Sequence, residues 1–286
     1  MPGIIRHLLI EDLPEMYRAF KTAFHDYPIP FDLNEAHFRK KFIDKLNINL
    51  GLSAGAFIND SLTGFIFTSI SNYGGVLTAY NGGTGVVPAY RGNGLTSNLY
   101  NYLIPNFKKQ NIAMCILEVL TENWSAIKVY KNIGFRIARK YNCYKLNPAL
   151  QVSTKENNEV QIMIMEIPDW NRYTQFFDYF PSYLDSRGMI EKNLANEVII
   201  EARLNETVVG YGIFQSETGR ICHIGVDKTL RQNGIGSMLL RFIYEKSIKK
   251  DLTIINIPED ADTIRFFLEK CGFENELDQY EMRLML

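Results

Sequence analysis

The chain has few cysteines and histidines, no long apolar run and no excess of charge of either sign. Its four cysteines form no Cys-x-x-Cys pair and its four histidines show no metal spacing. This argues against a metal site and a disulfide framework, and it favours reduced cysteines in a cytoplasmic protein. No apolar stretch approaches the ~18 residues of a membrane span, and the N-terminus lacks the apolar segment of a secretory signal. The net charge of −1 favours neither nucleic acid nor an anionic membrane as a partner.

The most informative feature present is a segment that occurs twice. Residues 86–96 read Val-Val-Pro-Ala-Tyr-Arg-Gly-Asn-Gly-Leu-Thr, and residues 225–236 read Gly-Val-Asp-Lys-Thr-Leu-Arg-Gln-Asn-Gly-Ile-Gly. Each copy places a strand-like run before an arginine, a glycine-containing turn after it, and then an apolar run with helical spacing. Each copy is followed by a strand, a helix and a Gly-Phe pair, at positions 134 and 272. Two such series about 140 residues apart predict a duplicated domain.

The periodicity of apolar residues predicts the same order of elements in both halves. Three successive hairpin-type strands precede each motif, and strands alternate with helices after it, which favours mixed sheets in an α/β or α+β fold. Pro105 falls inside the helix that follows the first motif, and we expect that helix to bend or end there. Residues 148–158 are polar, contain no periodicity and predict a linker between domains at 1–147 and 159–286.

These motifs resemble the signature of the GNAT superfamily of acyl-CoA-dependent N-acetyltransferases, which is Gln/Arg-x-x-Gly-x-Gly/Ala at a strand-to-helix turn. The likeness covers nearly the whole chain, once per half. The second copy matches at every position, whereas the first departs at its last position, where Thr96 replaces a small residue. The resemblance implies two tandem domains, each a mostly antiparallel sheet with a splayed strand pair and flanking helices.

The resemblance also implies a ligand, acetyl-CoA, and no metal. Backbone N–H groups in the turn and the positive end of the following helix suit a pyrophosphate, while glycine lets the main chain approach it closely. The alternative is an ordinary glycine-rich turn without a ligand. A dinucleotide fold and a nucleotide P-loop are disfavoured, because neither copy completes their glycine patterns. The cofactor-binding residues that the resemblance implies are Val86, Val87, Arg91, Gly92, Asn93, Gly94, Leu95, Thr96, Asn123, Ile224, Val226, Arg231, Gln232, Asn233, Gly234, Ile235, Gly236 and Ser237.

Acetyl transfer to an amine requires a base, donors for the oxyanion, and an acid for the leaving thiolate. In the family the acid is often a tyrosine four residues before the Gly-Phe pair, and Tyr130 has that position. Glu118, on the preceding strand, is the candidate base, and Tyr80 on the motif strand is a second polar candidate. The alternatives are a packing aromatic for Tyr130 and a solvated charge for Glu118.

The second half lacks these groups, since Leu268 has the position of Tyr130 and Ala261 that of Asn123. We therefore predict that the first half catalyses transfer, and that the second half binds CoA without turnover or shapes the acceptor site. Asp26 and Glu35 lie in the helical region where the family usually builds its acceptor site, and aromatic residues such as Tyr27 could line that pocket; solvated helix ends and core aromatics are the alternatives.

The predicted function is transfer of an acetyl group to a primary amine of a small molecule or peptide. The alternatives are a non-catalytic acyl-CoA-binding or regulatory protein, and catalysis in the C-terminal half. The sequence does not identify the acceptor. The sequence does not identify the oligomeric state either; a tandem chain can form its pseudo-dimer internally, which is compatible with a monomer.

Overall fold

The computed structural model describes residues 3–28, 33–147 and 159–286; the predicted linker, residues 148–158, lies outside them. The chain divides into two compact units: Met1–Ala138 with Tyr280–Leu286, and Arg139–Gln279. The division differs from the predicted domains, because residues 139–147 belong to the second unit and residues 280–286 to the first. The physical reason is strand pairing: Tyr141 and Lys145 pair with the strand Thr253–Pro258 of the second unit.

The first unit is a mixed sheet with helices on both faces. Its strands run in the order β1-β2-β3-β4-β5, followed by the part of β12 that begins at residue 280. The pairs from β1 to β4 are antiparallel and the pair β4–β5 is parallel. The elements are β1 (Ile4–His7), α1 (Leu13–Ala23), α2 (Glu35–Arg39, continued by a π-helical stretch Lys40–Lys45), β2 (Ala54–Ile58), β3 (Ser61–Tyr73), β4 (Val76–Val86), α3 (Leu95–Lys109), β5 (Met114–Leu120), α4 (Trp124–Ile133) and the end of β12 (Phe273–Met285).

The second unit repeats this arrangement. Its strands run in the order β12 as far as residue 279, then β6-β11-β10-β9-β8-β7, and the pair β10–β11 is parallel. Its elements are β6 (Arg136–Leu146, in this unit from residue 139), β7 (Val160–Met165), α5 (Trp170–Tyr173), α6 (Arg187–Lys192), β8 (Val198–Leu204), β9 (Thr207–Gln215), β10 (Arg220–Val226), α7 (Ile235–Lys246), β11 (Thr253–Pro258) and α8 (Asp262–Lys270).

The parallel strand pair of the first unit separates partway along its length. β4 and β5 pair from Thr78 and Met114 as far as Asn81 and Leu117. The register of β4 against β3 shifts directly after Asn81, so that Gly82 is an extra residue in a β-bulge. A bulge bends its strand and increases the twist. The predicted splayed strand pair is therefore confirmed, and it opens beyond Asn81.

The second unit has the same feature at the equivalent place. β10 and β11 pair at Ile221 and Ile254, and the register of β10 against β9 shifts at Cys222. Beyond this point β11 pairs with β6 at Ile257. Both units thus open between their two central parallel strands.

The end of helix α4 is set by its local sequence, whereas helix α3 is held by packing against the core. Gly134 ends α4 in the left-handed conformation, with φ of +114°, which is why the helix ends at a Gly-Phe pair. Helix α3 continues through Pro105 to Lys109, so the helix does not end at this proline. A proline inside a helix costs ~3 kcal/mol, and here the fully buried Leu103 and Phe107 hold the helix to the core on both sides of it.

In the described part of the chain, none of the helices is both long and apolar enough to span a bilayer.

Candidate active site

The two motif loops have the same backbone conformation. Gly92 and Gln232 at the second position have φ of +79° and +65°, and the fourth-position glycines, Gly94 and Gly234, have φ of +71° and +85°. The asparagine between these two positions donates a hydrogen bond from Nδ2 to the backbone carbonyl three residues earlier. Asn93 bonds to Tyr90 and Asn233 bonds to Leu230, both at 3.2 Å. A left-handed non-glycine residue such as Gln232 costs roughly 1–2 kcal/mol. The repeat in sequence is therefore a repeat in structure.

The motif arginines hold each loop against the preceding strand and the first helical region. Arg91 donates from Nε to the Val86 carbonyl at 3.1 Å, and its guanidinium binds the Asp26 carboxylate at 2.5 and 2.8 Å. Arg231 bonds in the same way to the Val226 carbonyl at 3.3 Å and to Asp178 at 2.9 Å. Hydrogen bonding to Arg91 lowers the pKa of Asp26. The structure therefore gives Asp26 a partner in its own unit.

The helices that follow the loops begin without a side-chain cap. The N-cap residues of α3 and α7 are Gly94 and Gly234, neither has a side-chain cap bond, and neither helix has an acidic residue in its first turn. A Cβ atom at Gly92 or Gly94 would meet open space. The first backbone N–H groups of a helix have no partner within it and carry its positive end. These loops can therefore hold a phosphate group.

A cleft of about 690 Å³ lies over the motif loop of the second unit. This volume is within the range of small-molecule sites, ~300–1,000 Å³. Eight of the predicted cofactor residues line the cleft. Asn233 is not among them, and its side chain bonds back to the Leu230 carbonyl. The lining residues that had been predicted are Ile224, Val226, Arg231, Gln232, Gly234, Ile235, Gly236 and Ser237.

The opposite wall of this cleft is helix α8, which sequence reasoning missed. The residues are Thr263, Ile264, Phe266, Phe267, Lys270 and Cys271. Most of them follow the three- and four-residue spacing of one helix face, a signal that marks a buried face equally well. Lys270 gives this wall a cation beside the uncapped helix α7.

In the first unit, Tyr130 lies at the opening between β4 and β5. Its side chain is 8% exposed, and its hydroxyl lies close to the side chains of Thr84 and Asn81. The Asn81 amide donates in turn to Thr84 at 2.7 Å and to the Tyr100 hydroxyl at 2.6 Å. Burial raises the pKa of Tyr130 to about 12, so the phenol is protonated at neutral pH.

Glu118 lies at the same opening but on the other face of the sheet. It follows Leu117, which packs with α3 and α4, and successive strand residues point to opposite faces. The Tyr80 hydroxyl donates a hydrogen bond to the Glu118 carboxylate. The structure thus brings Glu118 together with Tyr80 and brings Tyr130 together with Thr84, in two groups on opposite faces.

Asn123 lies between α4 and the region after α1. Its side-chain Oδ1 accepts the Ala126 N–H at 3.2 Å and so caps α4, and its side chain lies close to the hydroxyl of Tyr27. Tyr27 is half-buried and close enough to Tyr130 to raise the pKa of that residue. Sequence reasoning had placed Tyr27 in an acceptor pocket and Asn123 beside the cofactor, without foreseeing their contact.

The second unit has neither of the candidate catalytic groups of the first. Leu268 is fully buried in the core, and Ala261 leaves α8 without a side-chain cap. Asn256 has the position of Glu118, with a left-handed φ of +60° and a side chain that accepts from Gln279 at 3.3 Å. Among residues 3–28, 33–147 and 159–286, no group of three or more His, Cys, Asp and Glu side chains can hold a metal ion.

Comparison with known proteins gives the family. The sequence profile of the Acetyltransferase (GNAT) family matches residues 12–135 and again residues 162–273. The fold is similar to that of a GCN5-related N-acetyltransferase from Sphaerobacter thermophilus, with a TM-score of 0.72, 16% identity, and coverage of 99% of this chain and 96% of that one.

Two further structures have the same fold. One is a tandem GNAT protein from the clavulanic acid biosynthesis pathway, with a TM-score of 0.73, 12% identity, and coverage of 99% and 98%. The other is a GCN5-related N-acetyltransferase from Anabaena variabilis, with a TM-score of 0.62, 14% identity, and coverage of 99% and 72%. No curated protein matches the sequence. Because the family profile matches most of the chain, in two successive regions, the chain belongs to the GNAT acetyltransferase family and contains its domain twice.

Proposed function

We propose that this protein is an N-acetyltransferase that uses acetyl-CoA to acetylate a primary amine of a small molecule or peptide. The observation that carries the proposal is the cleft of about 690 Å³, which is lined by residues of the motif loop of the second unit. A site of this size beside an uncapped helix end suits an elongated anion. CoA has that character, with phosphates at one end and a thioester at the other.

The residues that would hold CoA follow from the geometry of the loops. The backbone N–H groups at the start of α3 and α7 would bind the pyrophosphate. The strand ends at Val86, Val87, Ile224 and Val226 would pair with the amide groups of the pantetheine arm. When bound, acetyl-CoA supplies the activated thioester.

We assign the chemistry to the first unit, because Tyr130 and Glu118 are there and have no counterparts in the second. Glu118, with Tyr80 beside it, would take a proton from the amine. Tyr130 would donate a hydrogen bond to the leaving sulfur. With a pKa of about 12 against roughly 8–9 for a thiol, full proton transfer from Tyr130 is uphill, so stabilisation of the thiolate by hydrogen bonding is its main contribution.

A second candidate function is acyl-CoA binding without transfer. It is favoured by the second unit, where the complete motif loop and the large cleft occur together with a fully buried Leu268 at the position of the acid. Turnover by the chain with primary amines would separate the two functions.

Calorimetric titration of acetyl-CoA tests the proposal. The native chain is compared with Gly94→Glu and Gly234→Glu, which each put a bulky anion into one loop. Gly74→Glu is the matched control, because Gly74 also has a positive φ, of +61°, and open space around it, but lies in the hairpin between β3 and β4. Two sites, each lost in one loop variant and both kept in the control, are expected.

Two other outcomes would each contradict part of the proposal. A single site that is lost only in Gly234→Glu would overturn the assignment of chemistry to the first unit. Unchanged binding in both loop variants would overturn the proposed CoA sites altogether.

A further inference from the structure

A short segment after the first helix is repeated in both units. Residues 24–27 read Phe-His-Asp-Tyr and residues 176–179 read Phe-Phe-Asp-Tyr. The helices before the two copies differ in length, since α1 has 11 residues and α5 has 4. The Asp-Tyr pair thus recurs although the elements before it differ, and it lies outside the two motif loops.

The aspartate of each copy binds the arginine of the motif loop in its own unit. Asp26 accepts from both terminal nitrogens of Arg91, at 2.5 and 2.8 Å. Both carboxylate oxygens of Asp178 accept from Nη2 of Arg231, at 2.9 and 3.1 Å. Two-point pairing of this kind fixes the orientation of a guanidinium as well as its position.

The other donors of the motif arginine also bond to the protein. Arg91 donates to the carbonyl of Val86 at 3.1 Å and to that of Ala23, the last residue of α1, at 2.8 Å. Together with the pairing to Asp26, these bonds use four of the five N–H groups of a guanidinium. Arg91 therefore joins the end of β4 and the end of α1 at the start of the loop.

The charge of the pair argues against the arginine side chain as a phosphate ligand. Asp178 and Arg231 both line the large cleft, so a phosphate brought to Arg231 would also face the Asp178 carboxylate. Like charges repel, which favours a phosphate at the backbone N–H groups that begin α7. The role that remains for the arginine side chain is to hold the loop.

The loop of the second unit requires such support. Gln232 directly follows Arg231 and is left-handed, with φ of +65°, whereas Gly92 has this conformation in the first loop. Glycine adopts it without steric cost but glutamine does not. A strained residue persists only where its surroundings hold it. The pair in the second unit is also the less exposed one, at 23% for Asp178 against 52% for Asp26.

We propose that Asp178 and Asp26 are positioning residues of the two CoA sites: each holds its motif arginine, and this aspartate–arginine clamp keeps the phosphate-binding loop in the conformation that binds the ligand. The second unit depends on the clamp more strongly, because its loop contains Gln232 in place of a glycine. The inference rests on the proposed function, since it takes CoA to bind at the loops. It adds the residues that keep the loops ready for CoA.

The test is calorimetric titration of CoA into the full-length chain that contains Gly94→Glu, so that only the second loop is read. Asp178→Asn keeps the size of the side chain and removes its charge. CoA should bind roughly fivefold or more weakly, because the apparent affinity falls with the fraction of chains whose loop has the binding conformation. Electrostatics alone predicts the opposite, since loss of a carboxylate from the cleft favours an anion. The matched control is Asp260→Asn, the same change at an exposed position outside the cleft lining.

Gln232→Gly should remove the need for the clamp. Added to Asp178→Asn, it should return the affinity for CoA to within about twofold of the parent chain, because glycine adopts a positive φ without strain. The first loop is read in a chain that contains Gly234→Glu. There Asp26→Asn should weaken CoA by about twofold or less, because Gly92 needs no such support and an exposed ion pair contributes little.

The outcomes separate the clamp from the proposed CoA site. Unchanged or tighter binding of CoA in Asp178→Asn would overturn the clamp and leave the CoA site standing. A weakened affinity that Gln232→Gly does not restore would overturn the role of the clamp in the loop conformation. No binding of CoA by the Gly94→Glu chain itself would overturn the site on which the inference rests.

Arg231→Lys decides the matter if Asp178→Asn does not fold. It keeps the positive charge but cannot form the two-point pairing. The clamp predicts a weakening of CoA that Gln232→Gly again restores. Unchanged binding of CoA in Arg231→Lys would overturn the clamp.

Discussion

The ring of Phe267 lies where a side chain at Gly236 would project: a Cβ atom there would be 2.9 Å from two carbons of the ring. Real Cβ atoms do not approach so closely, so the last glycine of the second motif is required by the helix α8 that packs over it. In the first unit the equivalent residues are Thr96 and Val129. The larger loop residue there faces a smaller helix residue. The departure of Thr96 from the family signature is therefore matched by a change in its partner.

This relationship predicts that size at the two positions is coupled. Gly236→Thr alone should lower the free energy of unfolding by about 1–3 kcal/mol, because it overpacks the contact with Phe267. Adding Phe267→Val, which copies the first unit, should recover part of that loss. The check is a double-mutant cycle from urea unfolding, with an expected coupling of roughly 0.5–3 kcal/mol. Simple additivity of the two substitutions would contradict the coupling.

The hydroxyl of Tyr130 should contribute to the rate rather than to CoA binding. Tyr130→Phe should lower kcat by roughly 10²-fold with little change in acetyl-CoA affinity, measured by release of the CoA thiol with a panel of primary amines. Tyr100→Phe is the matched control, because it removes a buried hydroxyl that is hydrogen-bonded to Asn81, a residue close to Tyr130. A normal rate for Tyr130→Phe across the pH range, or equal losses in both variants, would contradict the proposed hydrogen bond from Tyr130 to the leaving sulfur.

Glu118 should be required for activation of the amine. Glu118→Gln keeps the shape of the side chain but removes its basicity, and it should lower kcat/KM by about 10²-fold or more in the same thiol-release assay. The control is Glu122→Gln, which makes the same change four residues later at an exposed position in the turn after β5. Activity that falls equally in both variants would point to a general effect of charge instead of a base at Glu118.

The sequence allowed local features to be predicted and left non-local ones open. The motif loops and the end of α4 depend on glycines with positive φ at Gly94, Gly134 and Gly234, so they can be read from the chain directly. The position of Tyr130 follows from its distance to Gly134 along one helix. The mixed sheet and its splayed strand pair, implied by the family resemblance, are confirmed.

Other features depend on packing between distant segments. The pairing of β6 with β11 and the wall formed by Phe267 join residues more than 30 positions apart, and no local pattern encodes such contacts. Pro105 shows that local preference can also mislead, because burial of its neighbours overrides the tendency of proline to end a helix. Burial of the Tyr130 hydroxyl against Thr84 also became visible only in the folded unit.

The buried imidazole of His223 should make the stability of the protein depend on pH in a defined window. Burial lowers the pKa of His223, so the folded chain disfavours its protonation, whereas in the unfolded chain the group titrates near its ordinary pKa of about 6.5. The unfolded state then binds more protons as the pH falls below about 6.5, and stability falls with it, by at most ~1.4 kcal/mol per pH unit for this one group. Above that pH its contribution is fully present.

The measurement is the free energy of unfolding in urea from pH 7.5 to pH 5.5, for the native chain and for His223→Gln. The variant should be less stable at pH 7.5, because the bonds to Tyr211 and Asp185 are weakened or lost, but its stability should fall less steeply toward pH 5.5. His37→Gln is the control, because it makes the same substitution at an exposed position. Parallel curves for the native chain and His223→Gln would mean that the imidazole is not held neutral by the fold.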